Sequence, residues 1–136
     1  MDETLIKTTP DKEKARSILR MAETTLEMIQ TIDRSRFPSH VAKEYYDVVR
    51  ELMSVLLLLD GYKTIGEGAH KKIIEYLGAH YPQFDPSEIS LIDNLRIMRH
   101  KITYDGFFVK ENYIERELKS ILTVIGKLKK LVASRV

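Results

Sequence analysis

The residues best suited to chemistry lie in one stretch, Asp93-Asn-Leu-Arg-Ile-Met-Arg-His-Lys-Ile-Thr-Tyr-Asp-Gly106. Arg96, Arg99 and Lys101 supply cationic groups suited to phosphate, His100 supplies an imidazole able to move a proton near neutral pH, and Tyr104 supplies a hydroxyl on an aromatic ring. On a helix, Asp93, Arg96, His100 and Thr103 fall on one face by steps of three and four, opposite the apolar stripe of Ile92, Leu95 and Met98. An ordinary solvated face would explain that pattern, but this one ends in Tyr-Asp-Gly, a helix-breaking turn. Arg99 and Tyr104 are five positions apart, about 140° around a regular helix. Their convergence therefore requires the helix to end between them or two chains to share a site.

Competing chemistries are weaker. Glu67 and His70 have the Glu-x-x-His spacing of carboxylate di-iron bundles, but such sites need a second pair that the chain lacks. His40, His70, His80 and His100 lack the i, i+4 pairing of a helical zinc site, so no metal and no cofactor is expected. Gly61, Gly66 and Gly68 have no preceding strand and no Gly-Lys-Ser/Thr ending, which argues against a phosphate loop. They read as a turn between two helices, with Glu67 and His70 capping or solvating the second and the loop available as one wall of a cleft. Tyr45, Tyr46, Tyr62, Tyr76 and Tyr81 read as core or edge residues, because basic residues are not interleaved among them as in a base-stacking surface.

The elements that must position Arg99 are helices. Apolar spacing predicts five segments. The first runs from about Asp11 to Asp33, between Pro10 and Pro38, and buries Ala15, Ile18, Leu19, Ala22, Leu26 and Ile29. The second, from Ser39 as N-cap to about Asp60, is apolar around nearly its whole circumference and should be central. A short third segment covers about Ala69 to His80. The fourth opens near Pro86 and Ser87 and runs toward Lys101, while the fifth covers about Lys110 to Ala133 with Ile114, Leu118, Ile121, Leu122, Ile125, Leu128 and Val132 inward. Strand alternation is weak everywhere. The expected fold is all-α: an up-and-down four-helix bundle with one additional short helix, formed by residues 1–136 as a single domain.

Composition narrows the function classes. With 43% apolar and 31% charged residues the chain is neither disordered nor membrane-embedded. It has no cysteine, which removes thiol catalysis and cysteine zinc sites. Charged residues throughout the first twenty positions leave no room for a signal-peptide core, and the longest apolar run, Val55 to Leu59, is far shorter than a membrane span of about 20 residues. A cytoplasmic location and no membrane partner are expected. Net charge of +2 is too small to identify a nucleic-acid binder by itself. Lys127, Lys129, Lys130 and Arg135 gather near the C-terminus, where they read as cations facing the negative end of a helix dipole.

Arg99, a polar residue after it, three further residues and then Tyr104 resemble the signature of HEPN domains, in which an arginine precedes a histidine by four to six intervening positions. Tyr45-Tyr-Asp-Val-Val-Arg-Glu-Leu-Met-Ser-Val-Leu, Leu58-Leu-Asp-Gly-Tyr-Lys-Thr and Gly68-Ala-His-Lys are similar to the second and third helices of small prokaryotic HEPN proteins, so the resemblance spans about Val41 to Val109. It implies metal-independent RNA cleavage, or a silent relative that binds RNA or a nucleotide, in a homodimer that brings two motifs to one cleft. It also implies pairing with a minimal nucleotidyltransferase in toxin and antitoxin fashion. Tyr104 stands where the family has histidine. A phenol, with an ordinary pKa of about 10, is a poor general base at neutral pH. On this basis Arg99, His100 and Tyr104 are the candidate catalytic residues, and Arg96, Arg99 and Lys101 the candidate phosphate or nucleotide ligands. The alternative is a non-catalytic partner of the nucleotidyltransferase, with Tyr104 as acceptor of a nucleotidyl group.

Overall fold

The computed structural model describes residues 5–66 and 68–136. It is mostly helical, with β1 (Leu5–Lys7), α1 (Lys12–Gln30), α2 (Pro38–Leu59), β2 (Tyr62–Thr64), α3 (Ala69–His80), α4 (Pro86–Asp105) and α5 (Glu111–Ala133) in chain order. The five expected helices are present. A small antiparallel ribbon accompanies them, pairing Leu5 with Thr64, Ile6 with Lys63 and Lys7 with Tyr62. Two three-residue strands are too short to produce the alternation by which a strand is read from sequence. Gly61, at φ 89°, makes the tight entry to β2, and its carbonyl accepts the Thr8 N–H at 2.9 Å.

Asp11 caps α1 by accepting the Lys14 N–H at 3.0 Å, and Ala15, Ala22 and Ile29 recur every seven residues on the face turned to α2. Ala15 and Ala22 leave little side chain in the way, so the two helix axes can approach closely. α1 stops at Gln30 rather than Asp33, because the Asp33 carboxylate accepts the N–H groups of Ser35 and Arg36 and shapes the turn instead. α2 packs on each of the other four helices, as its apolar circumference requires. Tyr45, Tyr46, Leu52, Met53, Leu56 and Leu57 are among its fully buried side chains.

Two expectations about helix ends are corrected. Ser39 is not the N-cap of α2: Pro38 takes the first helical position, Phe37 precedes it, and the buried Ser39 hydroxyl accepts the Val109 N–H at 2.8 Å. The serine therefore ties the start of α2 to the chain leaving α4. α4 also continues past Lys101 to Asp105, where Gly106 at φ 63° ends it and the Phe107 N–H returns to the Lys101 carbonyl at 3.2 Å. At its start, Asp85 and Glu88 form a reciprocal capping box with Pro86 just inside. In α5, Leu122 is exposed rather than inward.

Of the C-terminal cations, Lys130 lies in the last turn of α5, as the dipole reading expects, while Lys127, Lys129 and Arg135 are engaged by other elements. Lys127 Nζ donates to Glu88 at 2.7 Å, Lys129 lies 3.7 Å from Glu23, and Arg135 lies 2.7 Å from Asp60. Asp60, just after α2, also accepts the hydroxyls of Tyr76 and Tyr81, each at 2.8 Å. This carboxylate joins the ends of α2 and α3 to the C-terminal segment. No helix among the described residues is long and apolar enough to cross a membrane.

Candidate functional site

The end of α4 and the start of α3 face each other across a cleft of about 610 Å³. One wall carries Arg96, Arg99, His100 and Tyr104. The other carries Gly66, Gly68, Ala69, His70 and Lys71. The turn of left-handed glycines, φ 81° at Gly66 and 76° at Gly68, brings the chain into α3 and forms part of the wall, as the sequence allowed. Glu67, assigned to this cap from sequence, lies outside the described residues.

α2 supplies the support beneath the arginines. Asp47 Oδ1 lies 3.3 Å from Arg99 Nε and 4.0 Å from Arg50 Nε. Arg96 is held differently, through its own helix, with Nε donating to Asp93 at 2.8 Å. Three guanidiniums thus face two carboxylates. Arg99 Nε, Arg50 Nε, Asp47 Oδ1 and the Tyr46 hydroxyl are all buried without a hydrogen-bond partner among the described residues. The Arg99–Asp47 approach is close but off the N–H axis, so it attracts as a charge pair without satisfying either atom. Leaving one buried polar atom unpaired costs about 1–3 kcal/mol, so the grouping of these atoms beside the cleft is the feature to explain.

The ionisable rings feel this excess of positive charge. Burial first, then Arg50 and Arg99, hold the His70 imidazole below its ordinary pKa; Asp47 opposes them and Arg96 adds to them. Burial pushes the Tyr46 phenol up to about 12 against the opposing pull of Arg50, Arg96 and Arg99. The Tyr46 and His70 rings are 6.2 Å apart. On the far wall the exposed His100 and Tyr104 rings lie 4.6 Å apart, tilted by 45°, and Tyr104 is 69% exposed.

No family model, curated protein or solved structure matches the chain.

Of the residues singled out from sequence, Arg96, Arg99, His100 and Tyr104 share the cleft. Lys101 does not join them. It faces a separate groove of about 670 Å³ between α4 and α5, with its Nζ 5.7 Å from the centre of the Phe107 ring. The helix does not end between Arg99 and Tyr104. The two side chains reach one cleft because it is wide: Arg99, at 24% side-chain exposure, forms its floor and Tyr104 its rim. Sequence reasoning missed Tyr46, Asp47, Arg50 and the role of His70. The available signal was Asp47 and Arg50, three apart on a helix whose neighbouring positions are almost all buried apolar residues. Among the described residues no group of three or more His, Cys, Asp or Glu can hold a metal ion. The cleft offers guanidiniums for an anion, two imidazoles for proton transfer and an exposed ring pair for stacking.

Proposed function

We propose that the chain is a HEPN-type protein that binds RNA or a nucleotide in the α3–α4 cleft and acts in the cytoplasm as a homodimer. In this reading the helices form an up-and-down four-helix bundle with α3 as the added short helix. Arg99 and Arg96 hold phosphate, and the ring pair of His100 and Tyr104 receives a base. Active cleavage, as in a toxin component, would be metal-independent. The observation that carries the reading is the half-buried Arg99, whose Nε is unsatisfied by Asp47 and which shares a cleft with Arg96. A guanidinium so placed can exchange an imperfect intramolecular contact for a bidentate phosphate contact.

The test is RNA cleavage in chelator by the wild type, Arg99→Ala, His100→Ala and Tyr104→Phe, with RNA binding measured in parallel. Binding that Arg99→Ala weakens at least tenfold supports the reading. Equal binding by wild type and Arg99→Ala rejects it.

A second reading is favoured by the exposure of Tyr104. A hydroxyl open to solvent beside a cationic cleft is available to a minimal nucleotidyltransferase as the acceptor of a nucleotidyl group. Mass spectrometry after incubation with such a partner and ATP decides it. An unmodified Tyr104 rejects the acceptor role.

A further inference from the structure

The imidazole at the expected position of the α4 motif is replaced by the Tyr104 phenol, yet the cleft contains two imidazoles. They sit in unlike surroundings. His100 is exposed and lies against the Tyr104 ring on the outer wall. His70 is half-buried in the first turn of α3, beside Tyr46 and across the cleft from Arg96 and Arg99. We propose that His70, from α3, is the proton acceptor of this site, a role that rests on the RNA-binding reading above.

The groups around His70 suit that role. Arg50 and Asp47 approach from α2, Arg96 and Arg99 from α4, and the Tyr46 ring from beneath. Three cations against one nearby carboxylate, together with burial, disfavour the imidazolium, so the ring stays unprotonated and able to accept a proton at neutral pH. A base must also lie near the group that holds the phosphate, and Arg99 is in the same cleft.

With an RNA phosphodiester on Arg96 and Arg99, the ribose 2′-oxygen forms a bond to phosphorus and its proton passes to a His70 ring nitrogen. The bond from phosphorus to the 5′-oxygen breaks, and that oxygen takes a proton from water. The resulting hydroxide is neutralised by the proton that His70 then releases. The products are a 2′,3′-cyclic phosphate and a 5′-hydroxyl.

The experiment compares single-turnover cleavage of a short single-stranded RNA in EDTA, from pH 5 to 8, by the wild type, His70→Gln, His70→Ala and His100→Gln. Binding of the same RNA is followed by fluorescence anisotropy, and folding by circular dichroism. His70→Gln is expected to keep RNA affinity within about threefold while losing about 100-fold or more in rate, the usual scale for a missing general base. The wild-type rate should fall on the acid side along a limb that lies below about 6.5, the ordinary histidine value, because the His70 imidazole is depressed; this limb should vanish in His70→Gln but persist in His100→Gln. Added imidazole should restore part of the rate of His70→Ala, which a merely structural histidine would not allow. Loss of the limb in His100→Gln and its retention in His70→Gln overturns the proposal and leaves RNA binding standing. A wild type that binds RNA through Arg99 but does not cleave it does the same. A wild type that binds no RNA overturns both.

Discussion

Two carboxylates on or just after the central helix are surrounded by donors, and they differ in how completely those donors are used. Asp60 receives Tyr76, Tyr81 and Arg135 at 2.7–2.8 Å, and Tyr81 in turn accepts Arg135 at 2.9 Å. Asp47 sits between Arg99 and Arg50 at 3.3 and 4.0 Å, and one polar atom on each of these three side chains and on the adjacent Tyr46 has no hydrogen-bond partner among the described residues. The Asp60 cluster joins three parts of the chain and contributes stability. The Asp47 cluster is less completely paired among the described residues, and one of its cations, Arg99, lines the cleft. A completed polar network marks structure, and an incomplete one beside a cleft marks a candidate site.

The largest expected effect is at Asp60. Asp60→Ala strands two tyrosine hydroxyls and a guanidinium, and should lower unfolding free energy by about 3 kcal/mol in urea titration while leaving RNA affinity unchanged. A loss below about 1 kcal/mol would remove the contrast between the clusters. Next comes a pair of identical substitutions. Tyr76→Phe deletes a hydrogen bond to a charged acceptor and should destabilise by about 1.5–3 kcal/mol. Tyr46→Phe deletes a hydroxyl that has no partner among the described residues and should be neutral or slightly stabilising. Equal losses in the two variants would mean that the Tyr46 hydroxyl is satisfied after all.

Acid titration gives a smaller effect with a defined sign. Burial alone would raise the Asp60 carboxyl, but the hydrogen bonds from Tyr81, Tyr76 and Arg135 and the charge of Arg135 outweigh it and hold it below the ordinary carboxylate range. The folded state therefore binds a proton at Asp60 less readily than the unfolded chain. Its contribution is complete above about pH 4, the unfolded range, and is lost as pH falls through the folded value. His70, also depressed, acts in the same direction from about pH 6.5 downward. Thermal melting of the wild type should thus weaken in two acid steps. His70→Gln should remove the upper one. The smallest effect expected is for Asp47→Asn, which removes the counter-charge of Arg99 and should raise RNA affinity a few-fold in anisotropy titrations.

The helices were legible because burial repeats along them. Asp11, Pro38, Asp85, Pro86 and Gly106 mark or flank their ends in side-chain chemistry that can be read locally. Ser39 misled because serine is a favoured N-cap type, whereas Pro38 before it takes the first helical position and its partner, Val109, is seventy positions away. The ribbon was invisible because the register between Leu5 and Thr64 is set by how the chain folds back, not by either strand. The site was half legible. Arg96, Arg99, His100 and Tyr104 lie in one short stretch, while Asp47, Arg50 and His70 join them only through the packing of α2 and α3 against α4. Lys101 is adjacent to His100 in sequence, but the helical turn carries it to another groove.

The most direct test of the central claim is the salt dependence of RNA binding, measured by anisotropy with a labelled single-stranded RNA from about 50 to 200 mM salt, for the wild type and the Arg96→Ala, Arg99→Ala double variant. The double variant should bind at least tenfold more weakly, with the slope of log affinity against log salt shallower by about 0.7 for each phosphate that the arginines no longer neutralise. Unchanged affinity and slope would contradict a phosphate-binding role for the cleft.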